Sequence, residues 1–151
     1  MRNIINSDWK MRIGVAGALA ILGVLDLFAM GLYGEIKDET IVLFTLLGVF
    51  IAGLSMAGGF GKPRKSGWVL AMFTGLIATY FGAMSSVFIL FTWTGFADGN
   101  IFPHLDEIGM LLLVLPAIVV MNTFITLPSA SLWIVGMATI HIGMLKLRNR
   151  N

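Results

Sequence analysis

The chain contains no cysteine, which excludes disulfides, thiolate metal sites and cysteine nucleophiles. It is also poor in charge. Asp, Glu, Lys and Arg make up 12% of its 151 residues, against about 25% in an ordinary water-soluble domain. So few charged side chains cannot coat a water-facing surface, and no polar segment is long enough to build a core of its own. A soluble catalytic domain is thereby excluded. The sequence also lacks a Gly-rich phosphate loop after a strand, a usable Ser/His/Asp spacing and a His-x-x-x-His pair. Its two histidines, His104 and His141, stand in different segments at different depths, which argues against a bis-histidine haem site. No nucleophile–base pair is legible, so an enzyme ranks last among the functional readings. No cofactor is expected.

What the chain does have is apolar length, with 58% hydrophobic residues. Uncharged stretches alternate with polar segments whose sign switches. Lys10 and Arg12 precede the first stretch, and Glu35, Asp38 and Glu39 follow it; Lys62, Arg64 and Lys65 come next, then Asp98, Asp106 and Glu107. This is the pattern of a chain threaded repeatedly through a bilayer with its basic loops in the cytoplasm. The net charge of +2 comes from bases beside apolar runs, which points to lipid headgroups and topology rather than nucleic acid. Ala18-Leu19-Ala20 weakly resembles a signal cleavage site, but cleavage there would leave an apolar core of only about eight residues, so the first run is read as a retained span.

The expected architecture is one all-α integral membrane domain over residues 1–151, a polytopic bundle of five transmembrane helices at about 13–33, 40–60, 68–94, 108–127 and 130–147. Trp9 and Tyr33 flank the first span as interfacial anchors. The short basic turn at residues 61–67 makes spans two and three a tight antiparallel hairpin. Trp68 and Trp93 bracket span three, about 38 Å apart along a helix, so tilt is expected. No Asp, Glu, Lys or Arg occurs between Glu107 and Lys146. One helix of that length would reach about 57 Å, nearly twice a bilayer core. The break is placed at residues 126–131, where Pro128 ends one helix and Ser129 or Ser131 caps the next. Five spans with a cytoplasmic N-terminus put Lys146, Arg148 and Arg150 outside, against the positive-inside tendency. The four-span alternative would lay residues 132–145 on the membrane surface, where an interfacial helix needs a polar face that these residues lack.

Small residues recur at helix-contact spacing. Span three carries Ala71, Gly75, Ala78, Gly82 and Ser85. Span two carries Gly48, Ala52 and the series Gly53, Ala57, Gly61; span one carries Gly14 with Ala18 and Ala16 with Gly23. Such stripes allow close backbone approach, either within the molecule or at an interface, and spacing alone does not decide between the two.

Three intramembrane polar residues are candidate sites. Asp26 is the formally charged residue deep inside a span and shares a face with Ala16, Gly23 and Met30. A carboxyl group there is costly and must face protein or water; it reads as a proton or cation site, or as a neighbour-bonded structural acid. His141 falls at a matching depth in the five-span arrangement, where spans one and five run in the same direction. Asn122, with Thr123 and Thr126, gives span four a polar inner end, and Pro116 leaves the Leu112 carbonyl without a helical donor. In the outer loop His104, Asp106 and Glu107, with Asp98 further back, lack the spacing of a metal site, and none is assigned.

The expected function is that of a small non-catalytic structural or accessory subunit of a larger membrane complex, acting through helix contact. Its partners would be lipid and other membrane-protein subunits or its own copies. The alternative is a small oligomeric proton- or cation-coupled channel or transporter using Asp26. The expected location is a prokaryotic plasma membrane.

Overall fold

In a solvent without hydrogen-bonding capacity, a backbone must satisfy its own polar groups, and a helix does so within one segment. The computed structural model describes residues 2–29, 39–97 and 105–149, and they are helical almost throughout. In chain order they form α1 (Arg2–Ala29), α2 (Glu39–Met56), a 3-10 turn (Ala57–Gly59), α3 (Lys65–Ala97), α4 (Leu105–Ile125) and α5 (Leu127–Arg148). Among the described residues four helices are long and apolar enough to cross a membrane: Trp9–Ala29, Glu39–Gly59, Lys65–Trp93 and Leu127–Arg148. Within α4 the described residues include a shorter apolar stretch, Leu112–Ile125.

The turn between α2 and α3 is built where the sequence places it. Gly61 has φ +71° and Arg64 φ +78°, two left-handed residues around Pro63 that reverse the chain within a few positions. α1 packs antiparallel on α2: a Cβ added at Gly53 would lie 2.7 Å from the Ala16 Cα, and one at Gly23 would lie 3.1 Å from Val49. α3 returns along α2, where a Cβ at Gly48 would lie 2.8 Å from the Gly82 carbonyl oxygen. The approaches at Gly53 and Gly48 are closer than a Cβ tolerates and the one at Gly23 is tight, so these glycines set the interhelical distance.

α5 departs from the sequence expectation. Its start meets Asp26 of α1 through Ser129, whereas its end meets the α2–α3 turn, where a Cβ at Gly61 would lie 2.7 Å from the Met144 Cβ. α5 therefore runs antiparallel to α1 and α3, not in the direction of α1 as the five-span arrangement requires. The physical reason lies in α4. Apolar content suggested a full crossing there, but α4 ends at the depth of Asp26, and α5 continues from that depth back to the basic end. Lys10, Arg12, Lys62, Arg64, Lys65, Lys146 and Arg148 consequently share one end of the bundle, whereas the five-span arrangement divides them between two.

The core runs down the centre. Val15, Leu19 and Leu22 of α1 meet Ala71 and Ala78 of α3 and Trp133, Met137 and Met144 of α5, with Phe60 from the turn fully buried. Large apolar side chains also cover the outside: Val69, Phe73, Leu113 and Leu127 are 60–81% exposed. Apolar faces of this extent are what lipid or other protein covers, not water.

Candidate functional site

Val15, Leu19, Leu22 and Asp26 follow a 4-3-4 spacing along α1, and all four are buried, so the core face of the helix runs directly into a carboxyl group. The place of Asp26 inside an apolar run was legible in sequence; its partners were not. Thr123, in the last turn of α4, places Oγ1 3.0 Å from Asp26 Oδ2, and Ser129, in the first turn of α5, donates to Oδ1. The two hydroxyls flank the helix break. Thr126 is extended there (φ −95°, ψ 132°), and proline stands in the first turn of α5, a position that needs no helical donor. The break thus falls within the segment 126–131, but Pro128 does not end α4, which stops at Ile125; it stands inside the first turn of α5, and the expected cap does not form. The N-cap is Thr126, with no side-chain cap bond, and the Ser129 hydroxyl goes to Asp26 instead.

This arrangement accepts either proton state of Asp26. Thr123 Oγ1 also lies 3.0 Å from the Val119 carbonyl oxygen, and its single proton can serve one of the two acceptors fully. With the carboxyl ionised, Thr123 donates to Asp26. With it protonated, Asp26 donates to Thr123, whose own hydrogen turns to Val119. The ionisable group at the start of α5 also lies where the partial positive end of a helix favours an anion.

His141 belongs to a different place. It is fully buried, and its Nδ1 accepts the Gly61 backbone N–H at 3.2 Å. The hydrogen of the neutral ring therefore sits on Nε2, which is buried without a hydrogen-bonding partner. The Trp68 ring packs beside it, centroids 4.6 Å apart. Twelve residues of α5 separate His141 from Ser129, about 18 Å along the axis, so Asp26 and His141 do not form a pair. Asn122 is half-buried; its neighbour Thr123 is the residue that reaches Asp26. In sequence, Thr123 marks only part of a polar helix end and Ser129 only a cap. A carboxyl group, a hydroxyl three residues before the break and another three residues after it were the available signal.

The small-residue stripe of α3 is consumed inside the molecule. Ala71 and Ala78 are buried in the core, Gly75 faces Met137 and Gly82 faces Val49, while Ser85 is half-buried. On α1 the two pairs separate. Ala16 and Gly23 pack on α2, whereas a Cβ at Gly14 would meet nothing within 4 Å. Met30, Tyr33, Asp98 and His104 lie outside the described residues, as do the side chains of Asp106 and Glu107, and with them the outer-loop metal reading. Among the described residues no group of three or more His, Asp or Glu could hold a metal ion.

Beside Asp26 lies a cavity of about 240 Å³ between α1, α2, α3 and α4, walled by Leu27, Phe44, Val49, Val87 and Val119, with Thr79 and Ser86 among its polar residues. Compared with protein-family models, curated proteins and solved structures, the chain matches none.

Proposed function

We propose that the protein crosses a bilayer four times, with the α2–α3 turn and both ends of the chain on the cytoplasmic side, and serves as a non-catalytic subunit of a larger membrane complex. The gathering of Lys10, Arg12, Lys62, Arg64, Lys65, Lys146 and Arg148 at one end supports the topology. The outward face of α1 carries the function. Gly14, with open space around it, lies in line with Ala18 and with Ile21, Leu25 and Phe28, which are 61%, 47% and 47% exposed. A small-residue notch leading into a large apolar ridge is a helix-pairing face, and the other stripes are already occupied within the bundle. His141 and Asp26 then act as internal fastenings at the two ends of α5.

The absence of native cysteine makes the test clean. A single cysteine introduced as Ala18→Cys should crosslink in native membranes to a second chain or copy, and Gly14→Leu should abolish the product. A Phe73→Cys control on the outward side of α3 should not depend on Gly14. A protein that stays monomeric and uncrosslinked in the membrane removes the subunit reading.

A second reading is supported by Asp26 itself. A buried carboxyl at an interrupted helix, able to hold or release a proton within its hydrogen bonds, suits a proton- or cation-coupled channel or transporter. It comes second because the adjoining cavity is walled mainly by apolar side chains, an unfavourable path for a hydrated ion. Asp26→Asn should abolish or uncouple flux in liposomes; no flux in the parent protein excludes this reading.

A further inference from the structure

The polar groups facing the 240 Å³ cavity are mostly acceptors. Ser86 donates its hydroxyl proton to the Gly82 carbonyl at 2.7 Å, leaving its oxygen lone pairs. Thr79 donates to the Gly75 carbonyl at 2.9 Å and already accepts the Trp133 indole N–H at 3.0 Å. Asp26 takes donors from Thr123 and Ser129, which occupies about two of the four lone-pair sites of a carboxylate. Thr45 is the remaining hydroxyl in the wall. When Asp26 holds a proton, Thr123 can receive it, so the cavity side keeps its acceptor character in both states.

We propose that this cavity binds a small lipophilic amine, its N–H groups donating to Asp26 and Ser86 and its apolar body packed against Phe44, Val49 and Val87. Charge complementarity selects the class. A carboxylate in an apolar surround gains most from a cationic donor, and an acceptor-bearing or anionic head would meet repulsion instead. Volume sets the size: an apolar cavity of about 150 Å³ takes a benzene ring, so this one suits two fused rings. The site goes beyond the subunit reading and needs no transport, because binding is measured without flux.

The test uses the full-length protein in lipid nanodiscs, with 1-naphthylmethylamine as probe and uncharged 1-ethylnaphthalene as comparator, each corrected for uptake by empty nanodiscs. The amine should bind saturably at one site per chain, at least about tenfold more tightly than the comparator. Asp26→Asn should remove that preference, and Ala83→Phe, which fills the cavity without touching the Asp26 bonds, should abolish binding of both. Equal affinity for the two probes, an Asp26→Asn protein that keeps the preference, or no saturable binding of the amine overturns the proposal. Should Asp26→Asn fail to fold, the Ala83→Phe comparison and the probe preference of the parent protein still decide it.

Discussion

Ser129 donates a hydrogen bond to Asp26 across 103 residues of sequence, tying the start of α5 to the core face of α1. Because Thr123 reaches the same carboxyl from the end of α4, one acid holds both sides of the helix break. The interruption is a joint between three helices, and its strength is open to measurement.

Removing one member should weaken that joint more than its size suggests. Ser129→Ala leaves a buried carboxyl oxygen short of a donor, at a cost of about 1–3 kcal/mol. The double variant with Asp26→Leu should be less destabilised than the sum of its parts, a coupling of about 0.5–3 kcal/mol. Reversible unfolding in mixed micelles measures both; strict additivity would mean the hydroxyl and the carboxyl act independently.

Gly61 and His141 fasten the other end of α5. Gly61→Ala must adopt a left-handed backbone and drive its methyl group against Met144, which should destabilise the protein by about 1–3 kcal/mol. His141→Phe keeps a ring beside Trp68 but removes the acceptor of the Gly61 N–H. It should also lower thermal stability and shift the tryptophan emission. An unchanged melting temperature in both variants would mean the turn is not held by α5.

Two glycines on one helix pair should behave oppositely. Gly53→Leu would place its side chain against the Ala16 backbone and should unfold or separate α1 from α2. Gly14→Leu meets open space and should leave stability within about 0.5 kcal/mol. Melting curves of the isolated protein separate the cases, and the Gly14 result also shows that any loss of crosslinking is not a folding defect.

The direction of α5 gives a topological prediction. Ser66 in the first turn of α3 and Asn149 after α5 are both exposed, and they lie at the same end of the bundle. Single cysteines at these positions should be labelled by a membrane-impermeant maleimide from one side of sealed vesicles. Labelling from opposite sides would restore the five-span arrangement.

Much of this architecture was written locally. Apolar runs bounded by Lys62, Arg64 and Lys65 specify two helices and a turn, because lipid admits few other backbones. Pro128 and the hydroxyls around it specify a break, because a helix of that length overshoots a bilayer. Asp26 identifies itself, since an acid inside an apolar run must be satisfied by something. What satisfies it is a tertiary matter: Thr123 and Ser129 are 97 and 103 residues away, and hydropathy carries no information about which helix lies beside which. The same limit explains the reversed direction of α5 and the fate of the small-residue stripes. Gly14 and Gly53 look alike in sequence. Only the packing of α1 on α2 turns one into a contact and leaves the other open, because close approach is decided by the helix that arrives, not by the residue that permits it.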